Sequence, residues 1–270
     1  MSGARGSIKA AAAPGELVAP GYLTTAGFAP LHGFTTRRGG LSQGAYASLN
    51  LGLSSGDERA SVEANRDLLL EALGIGRDAV CAFNQVHGKA VLVGSPSWFE
   101  HDADGAVSDD PSLLLVVSAA DCLPILFFDP ASGAVGAAHA GWRGTYQGIA
   151  AAVIETMAER FGSDPAAIRV VLGPAILGCC YEVSPALARQ FLEAGFPSEV
   201  VLPAAVGNPR LDLVAANRFT LRRAGVPDAN IESLGRCTSC EPESFFSHRR
   251  DRGKTGRMWG FVRAAGPPPR

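Results

Sequence analysis

Hydrophobic positions along this 270-residue chain follow two periodicities. Continuous apolar runs of strand length occupy residues 112–119, 123–129 and 134–139, and residues 169–172 form a shorter run. Between the second and third runs, Pro130 and Gly133 stand in a turn that favours a β-hairpin. The pattern therefore predicts buried strands, two of which are adjacent arms of one hairpin.

Helical spacing of apolar residues marks four other stretches. Residues 57–73 predict a helix with Asp57 near its start and Gly74 past its end. Residues 146–161 predict a strongly amphipathic helix, and residues 185–193 and 212–224 predict two more, closed by Gly195 and Gly225. Residues 33–56 are rich in Gly, Ser, Thr and Asn and predict a loop. Because strands and helices do not alternate strictly, we expect an α+β fold of mixed sheets flanked by helices.

Composition and the chain ends set the remaining bounds. We expect a disordered segment at residues 1–20, one catalytic domain at 21–264 and a loose tail at 265–270. A net charge of −2 argues against nucleic acid or an anionic membrane as the partner. No apolar run reaches membrane-spanning length and no export signal is evident, so we expect a cytoplasmic protein. Its six cysteines are then free thiols or metal ligands.

Three separate segments each carry a good metal ligand: His87, Cys122 and His139. Both histidines lie among small residues next to glycine-containing turns, which expose an imidazole. Cys122 and His139 flank the predicted hairpin, one on each arm, within reach of one ion. Three protein ligands with an open fourth position are the usual form of a catalytic zinc site. His32, His101 and His248 are less favoured as ligands.

Cys122 has two further interpretations. It is either a small buried hydrophobic residue or a nucleophile, with His139 as its base and Asp121 as the orienting group. Neighbouring strand residues point to opposite faces, which favours Asp121 as a group that orients a loop or a ligand. We interpret the pair Cys179–Cys180 as structural, because neighbours do not easily face one metal. The Cys237–x–x–Cys240 motif is also interpreted as structural, since it has no second pair.

Residues 244–257 combine aromatic side chains and arginines. Such a segment is either a solvated basic loop or an anion site, because guanidinium groups bind phosphate in bidentate fashion and Phe245 or Phe246 would stack on a base. Arg143, near a predicted helix start, adds positive charge where backbone amides already favour anions. The full set of candidate substrate or phosphate contacts is Arg37, Asn50, Gln85, Arg143, Arg249 and Arg250.

Segments 32–57, 84–88, 118–130, 136–144, 172–183 and 237–262 resemble the laccase-domain family, also called multicopper polyphenol oxidoreductase-like or YfiH-like purine nucleoside phosphorylases. The resemblance implies an α+β domain with a two-sheet core, similar to a bacterial toxin deamidase domain. It also implies a zinc ion bound through His87, Cys122 and His139. The implied reactions are phosphorolysis of adenosine, inosine, guanosine and 5′-methylthioadenosine, and deamination of adenosine.

Two other enzyme classes remain alternatives, as does a metal-stabilised binding module. The older family name implies a copper-dependent polyphenol oxidase, and two histidines with one cysteine do match the equatorial ligands of a blue-copper site. Five histidines, three of them poorly placed, do not supply the trinuclear copper cluster that a multicopper oxidase also needs. The second alternative is a cysteine hydrolase that uses Cys122 and His139.

Overall fold

Two six-stranded β-sheets lie face to face in the computed structural model, which describes residues 20–204 and 206–265. The predicted disordered start and loose tail lie outside the described residues, apart from one residue each. The strands, in chain order, are β1 Tyr22–Leu23, β2 His32–Thr35, β3 Val80–Asn84, β4 Val91–Val93, β5 Ser97–Asp102, β6 Gly105–Ser108, β7 Leu114–Ala119, β8 Leu123–Phe128, β9 Val135–Ala140, β10 Arg169–Leu172, β11 Val201–Leu202, β12 Arg210–Leu211, β13 Ile231–Ser233 and β14 Met258–Arg263.

Both large sheets are mixed, as the sequence predicts. The first has the order β1-β2-β14-β7-β3-β5 and the second the order β13-β10-β8-β9-β6-β4, while β11 and β12 form a separate pair. Parallel pairing joins β3 to both β5 and β7, β4 to β6, and β10 to β13; the other pairs are antiparallel. The predicted α+β class with a two-sheet core is therefore confirmed.

Three of the five α-helices in the described part of the chain cover the outer faces of the two large sheets. The five are α1 Arg59–Leu73, α2 Trp142–Gln147, α3 Ile149–Phe161, α4 Pro185–Glu193 and α5 Leu213–Arg223. Helix α1 packs on the first sheet, and α3 with α5 packs on the second. Among the described residues, no helix combines the length and apolar character needed to cross a bilayer.

Burial on both faces explains why the strand runs are continuously apolar and not alternating. In β7, Leu115 and Val117 point into the core between the sheets, whereas Leu114 and Val116 point outward beneath α1. In β8, Phe128 faces the first sheet and Phe127 faces α3. Because residues on both faces of these strands are apolar, the sequence shows no alternation of apolar and polar positions. It therefore indicates these strands only through the length and composition of the apolar runs.

Three predicted boundaries are wrong for local reasons. The first helix begins at Arg59, because Glu58 is still extended with a φ of −64° and ψ of 122°. The predicted helix 146–161 is two helices, broken where Gly148 adopts a left-handed φ of 84°. The predicted loop 33–56 contains most of strand β2. The predicted helix 185–193 and strand 169–172 have the bounds observed for α4 and β10.

The predicted hairpin is confirmed. Strands β8 and β9 pair antiparallel with Leu123 opposite Ala140 and Pro124 opposite His139. Gly133 closes the turn with a φ of 77°, a conformation that glycine adopts without steric cost. Cys122 immediately precedes one arm and His139 lies near the end of the other.

The cysteine pairs outside the hairpin correct our interpretation of the sequence. The Sγ atoms of Cys179, Cys180, Cys237 and Cys240 all lie within 4.8 Å of one another. The structure supplies the second pair that Cys237 and Cys240 lacked in the sequence. Adjacent residues 179 and 180 do point their thiols to one place, because residues 178–180 form a turn and not an extended strand.

Candidate metal centre and adjoining cavity

His87, Cys122 and His139 converge at one end of the sandwich. His87 lies in the turn after β3, Cys122 lies before β8, and His139 lies in β9. Their donor atoms are all within 4.8 Å of one another, and Cys122 Sγ is 3.9 Å from His87 Nε2. The three residues predicted as metal ligands are therefore neighbours in the structure.

Asp104 organises the two histidines. It is fully buried, and Oδ1 accepts hydrogen bonds from His139 Nδ1 at 2.8 Å and from the backbone amide of His87 at 3.0 Å. Oδ2 accepts from the amides of Val86 and Gly88. A proton held on Nδ1 of His139 leaves its Nε2 lone pair free for a metal. These contacts also hold His87 at a φ of 61°, which is unfavourable for a non-glycine residue.

Asp121 holds the segment that presents Cys122. Its carboxylate accepts hydrogen bonds from the Thr238 hydroxyl at 2.6 Å and from the Arg249 backbone amide at 2.7 Å. Its carbonyl accepts from the Ile176 amide, and its φ is 90°. The carboxylate thus joins three distant parts of the chain next to the candidate ligand.

Gly141 allows the ligands to approach the chain closely. A Cβ atom at this position would lie 3.0 Å from both Cys122 Sγ and His87 Cδ2. Any larger residue would push these two side chains apart. Glycine at the start of α2 is therefore a requirement of the site's dimensions.

The partly exposed Cys122 and the buried His139 favour their charged forms together. Burial alone would raise the pKa of Cys122, but the charges and hydrogen bonds of His139 and His87 outweigh it and lower the pKa to about 6. Burial opposes protonation of His139, yet the Cys122 thiolate and Asp104 raise its pKa to about 9. A thiolate is the form of cysteine that binds metals and acts as a nucleophile.

The donor set fits a divalent metal with soft and nitrogen preferences. Ligand bonds of about 2.3 Å from sulfur and 2.0–2.1 Å from nitrogen put tetrahedral donors on the order of 3.6 Å apart. The 3.9 Å between Cys122 Sγ and His87 Nε2 is close to that spacing. Three protein donors leave a fourth position for water or substrate.

A cavity of about 550 Å³ opens beside these three residues. Its size lies within the range of about 300–1,000 Å³ that is typical of small-molecule sites. The other side chains and backbone segments that line it are Gly52, Leu53, Ser54, Arg66, Phe83, Asn84, Gln85, Phe99, Ser118, Ala119, Ala120, Asp121, Tyr181, His248, Arg249 and Arg257.

Two of the six candidate substrate contacts line this cavity. Arg249 lies over the Tyr181 ring at 5.0 Å, and its Nη1 donates to the Glu182 carbonyl. Gln85 also lines the cavity, but its amide donates to and accepts from the Ser118 backbone, both at 2.7 Å. Gln85 therefore fixes the turn that carries His87.

The other four candidates lie outside the cavity lining. Asn50 is fully buried and bonds to Asp57, Ser55 and two backbone amides. Arg37 and Arg250 donate to the backbone carbonyls of Ala47, Pro242, Thr238 and Phe245. Arg143 is exposed, with its guanidinium 4.5 Å from the centre of the Trp142 ring.

The structure also corrects the proposed stacking residues. Phe245 and Phe246 are completely buried in a small core cluster, so neither ring is available to a ligand. The aromatic rings in the cavity wall are instead Phe83, Phe99 and Tyr181. Arg37 packs over the Phe246 ring at 4.7 Å, a cation–π contact that joins the Arg37 loop to this segment.

Two arginines in the cavity wall, the buried Arg66 and the partly exposed Arg257, are not among the contacts predicted from the sequence. Arg66 donates Nε and Nη2 to the Leu51 carbonyl, and burial lowers its pKa to about 10. Burial also lowers the pKa of Arg257, whose Nη1 donates to the carbonyls of Thr255 and Gly256. Within the part of the chain that the structure describes, the other two Arg257 nitrogens make no hydrogen bond. The signal for Arg66 was an arginine on the buried side of α1.

Comparison with known proteins is consistent with this arrangement. Residues 31–265 match the family model described as "Multi-copper polyphenol oxidoreductase laccase". A protein of Deinococcus radiodurans named purine nucleoside phosphorylase is 44% identical over 229 residues, covering 84% of this chain and 87% of that protein. Purine nucleoside phosphorylase YlmD of Geobacillus stearothermophilus is 43% identical over 241 residues, covering 84% and 88%.

The fold is shared with a solved structure. The crystal structure of YlmD from Geobacillus stearothermophilus superimposes with a TM-score of 0.86 at 40% identity, covering 92% of this chain and 98% of that one. The resemblance stated from the sequence is thereby confirmed. The extent of the family match, the sequence identities and the shared two-sheet fold establish that this chain belongs to the multi-copper polyphenol oxidoreductase laccase family.

Proposed function

We propose that this protein is a zinc-dependent purine nucleoside phosphorylase that acts on adenosine, inosine, guanosine and 5′-methylthioadenosine and also deaminates adenosine. The observation that carries the proposal is a two-histidine, one-cysteine donor set in the wall of a cavity that also contains arginines and aromatic rings. The names of the two relatives support the phosphorylase assignment. We assign the protein to the cytoplasm, in keeping with six free thiols.

The zinc ligands in this proposal are His87, Cys122 and His139. A zinc ion held by these three residues would supply Lewis acidity to a substrate oxygen or to water. Asp104 keeps the His139 proton on Nδ1, and the low pKa of Cys122 provides a thiolate at neutral pH. Asp121 does not contact the reacting atoms in this scheme; it positions Cys122 through Thr238 and Arg249.

Phosphate is proposed to bind to Arg257 and Arg249. In phosphorolysis a phosphate oxygen bonds to C1′ of the ribose while the bond from C1′ to the purine nitrogen breaks, and the departing base takes up a proton. Guanidinium groups with unused N–H donors stabilise the charge of the attacking dianion. Burial and the Cys122 charge raise the pKa of Tyr181 to about 12, so its protonated hydroxyl is available as a donor.

The purine is proposed to lie against the aromatic walls of the cavity. Phe99, which is exposed, and Tyr181, which is partly exposed, offer flat apolar faces, and stacking of a base on such a face contributes about 1–3 kcal/mol, whereas the buried Phe83 only backs the wall. Asn84 and His248 supply polar atoms in the same lining. Of the six contacts predicted from the sequence, Arg249 is thus kept as a direct contact, Gln85, Asn50, Arg37 and Arg250 support the surrounding loops, and Arg143 is exposed outside the cavity.

A copper-dependent polyphenol oxidase is disfavoured by the arrangement of the histidines. Among the described residues, the only clusters able to hold a metal are the present site and a set of four cysteines. His32 is buried and bonds to Thr25 and Pro30 through its two ring nitrogens. A trinuclear copper centre therefore has no ligands in the described parts of the chain.

A cysteine hydrolase is the second candidate, and one observation favours it. Cys122, His139 and Asp104 are arranged as a thiolate, an imidazolium and an orienting carboxylate, which are the parts of a cysteine nucleophile site. The two candidates differ in their response to metal removal. A chelator abolishes the zinc-dependent reaction and leaves a cysteine hydrolase active.

The assay that tests the proposal is incubation of the purified protein with adenosine, with and without phosphate, followed by chromatography. We expect adenine and ribose 1-phosphate only when phosphate is present, and inosine in both cases. Cys122→Ala should abolish both products, whereas Cys81→Ala, which changes a buried cysteine outside the site, should retain them. Conversion that survives complete zinc removal, or full activity of Cys122→Ala, would exclude the proposed chemistry.

A second assay tests the phosphate contacts. Arg257→Lys removes the planar bidentate donor while keeping the charge, so the KM for phosphate should rise at least about tenfold. The KM for adenosine should change by less than about threefold, because Arg257 is proposed to contact the phosphate and not the nucleoside. Arg59→Lys, on the exposed face of α1, is the matched control. Equal rises in both constants would contradict a phosphate-specific role.

A further inference from the structure

A second cluster of metal-binding side chains lies outside the cavity. The Sγ atoms of Cys179 and Cys240 are 3.6 Å apart, those of Cys180 and Cys240 are 3.3 Å apart, and all four sulfurs of the cluster are within 4.8 Å of one another. Tetrahedral zinc with bonds of about 2.3 Å to sulfur places neighbouring sulfurs about 3.8 Å apart. The cluster therefore has the dimensions of a single-ion tetrathiolate site.

Backbone pairing of the two cysteine-bearing turns brings the sulfurs together. Ala175 forms a parallel β-bridge with Cys237, supported by hydrogen bonds from the Ala175 amide to the Arg236 carbonyl and from the Thr238 amide to the Ala175 carbonyl. The turn after each bridge is closed by a local hydrogen bond: Cys180 N to Leu177 O, and Glu241 N to Cys237 O. The four thiols are consequently preorganised before any ion binds.

The local chemistry suits an ion and not a hydrophobic packing role. Cys179 and Cys240 are exposed, Cys180 is partly exposed and only Cys237 is buried, whereas a packing cysteine is normally buried. All four are free thiols, and their separations are much longer than the disulfide bond length of about 2.05 Å. The guanidinium of Arg210 donates to the Cys179 carbonyl at 3.1 Å and brings positive charge next to four sulfur ligands.

We propose that Cys179, Cys180, Cys237 and Cys240 bind a structural Zn²⁺ ion, separate from the site formed by His87, Cys122 and His139. Four cysteine ligands leave no open position, which is the form of a structural zinc site and not of a catalytic one. Four thiolates and a small ligand separation favour one soft divalent ion over the hard ions that prefer oxygen.

The proposed ion would brace one wall of the cavity. Tyr181 directly follows Cys180 and lines the cavity, and the Glu182 carbonyl accepts from Arg249. Thr238, inside the Cys237–Cys240 turn, donates to Asp121 beside the ligand Cys122. A metal that links the two turns therefore fixes the positions of Tyr181, Arg249 and Asp121 relative to one another.

The first experiment measures zinc per chain by elemental mass spectrometry on the full-length protein after gel filtration. We expect two zinc ions per chain in the unchanged protein, one in Cys122→Ala, one in Cys240→Ser and two in the control Cys81→Ala. One zinc in the unchanged protein that Cys122→Ala removes completely would overturn the proposal. Stoichiometric iron in place of zinc, or an intact mass that reveals a disulfide among these cysteines, would overturn it equally.

Two readouts remain decisive if Cys240→Ser does not fold. Cobalt substituted into Cys122→Ala should show the intense sulfur-to-metal charge-transfer bands and the visible spectrum of a four-thiolate site.

Alkylation of the exposed thiols is the second readout. In the native, zinc-loaded Cys122→Ala protein, an alkylating reagent should label Cys179 and Cys240 at least tenfold more slowly than after chelation, as mapped by peptide mass spectrometry. Rapid labelling of both exposed thiols in the metal-loaded protein, or a cobalt spectrum without thiolate bands, would exclude the site. Because Cys122 is absent from this protein, the outcome does not depend on the proposed catalytic zinc.

Discussion

At the scale of single residues, the proposed metal centre depends on groups other than its three proposed ligands. Asp104 accepts hydrogen bonds from one side-chain nitrogen and three backbone amides, and all four donors belong to the two segments that carry His87 and His139. Such orienting carboxylates fix the tautomer and direction of metal-binding histidines. Asp104 is thus a positioning residue whose loss should change metal binding more than folding.

Asp104→Asn tests this role. Asn offers one acceptor oxygen where Asp offers two, so either the donors on Oδ1, His139 Nδ1 and the His87 amide, or the two amides on Oδ2 lose their acceptor, and the histidine-bearing segments are no longer held together. We expect the affinity for zinc to fall about 10–100-fold, the usual effect of removing such a partner. Competition with a coloured chelator measures the affinity. Asp228→Asn, which changes a surface carboxylate paired with Arg218, should leave it unchanged; an equal loss in both variants would show that charge alone is responsible.

Gly141→Ala tests the close packing of the ligands. The added methyl group would lie 3.0 Å from Cys122 Sγ and His87 Cδ2, and each must shift by a few tenths of an ångström. Metal geometry tolerates little displacement, so we expect zinc affinity and turnover to fall about tenfold or more while the melting temperature changes little. Gly27→Ala is the matched control, because its methyl group meets ordinary contact with Glu232 at 3.4 Å. Unchanged zinc affinity in Gly141→Ala would contradict the packing argument.

At the scale of secondary-structure elements, the sequence predicts what is local and misses what depends on strand pairing. The hairpin that brings Cys122 close to His139 is visible in the sequence because its turn and its two apolar runs are contiguous. Asp104 is not visible, because it reaches His139 only through the pairing of β6 with β9, which sets Gly105 opposite Ala138. Nothing in the spacing of residues 104 and 139 indicates that partnership.

The sequence also does not reveal that the two cysteine pairs meet, or that the predicted helix 146–161 is broken into α2 and α3. Cys179–Cys180 and Cys237–Cys240 meet because Ala175 bridges to Cys237, a contact between segments about sixty residues apart. The apolar positions of α3 continue the periodicity of α2, so only the left-handed conformation of Gly148 distinguishes two helices from one. A glycine within an amphipathic pattern does not by itself reveal that conformation.

His32, the first residue of β2, should make the stability of the folded protein depend on pH. Nε2 of His32 accepts a hydrogen bond from the Thr25 amide, and its Nδ1 donates to the Pro30 carbonyl, so the folded state requires neutral His32. Burial lowers the pKa of His32 below 6.5, although the Pro30 contact opposes this. Since the unfolded chain then binds the proton more strongly, His32 contributes stability above pH 6.5 that is lost as the pH falls through its folded pKa.

Urea unfolding of the full chain at pH 7.5 and pH 5.0 measures this contribution. Between these conditions the free energy of unfolding should decrease less in His32→Gln than in the unchanged protein, because the variant has no imidazole to protonate. His101→Gln, which changes a more exposed histidine of β5, should show the same decrease as the unchanged protein. If His32→Gln and the unchanged protein lose equal stability between the two conditions, His32 is not responsible for the pH dependence.

At the scale of the whole molecule, the sequence predicts the class of fold and three candidate metal ligands that do converge, but not the cavity. These candidates are identifiable because histidine and cysteine are chemically distinctive and lie beside glycine-containing turns. The cavity wall combines Arg66 of α1, Phe99 of β5, Tyr181 after the cysteine pair and Arg257 before β14. These residues become neighbours only when the two sheets pack together, and two of the predicted contacts, Arg37 and Arg250, instead support loops.

The two proposed metals should affect the molecule differently, because they join different parts of it. His87, Cys122 and His139 lie in or next to strands that are already fixed in the sandwich, so Cys122→Ala should abolish turnover and shift the melting temperature by only a few degrees. Cys240 belongs to a turn held mainly by one β-bridge, so Cys240→Ser should lower the melting temperature more, by on the order of 5 °C, since 1 kcal/mol corresponds to about 2–4 °C in a chain of this size. Its kcat/KM should fall through a raised KM while turnover persists, because Tyr181 and Arg249 become less well placed. The melting temperature and the kinetics of adenosine phosphorolysis are measured for both variants, with Cys81→Ala as the control. If instead Cys122→Ala is the less stable variant and Cys240→Ser is the inactive one, the roles of the two sites are reversed.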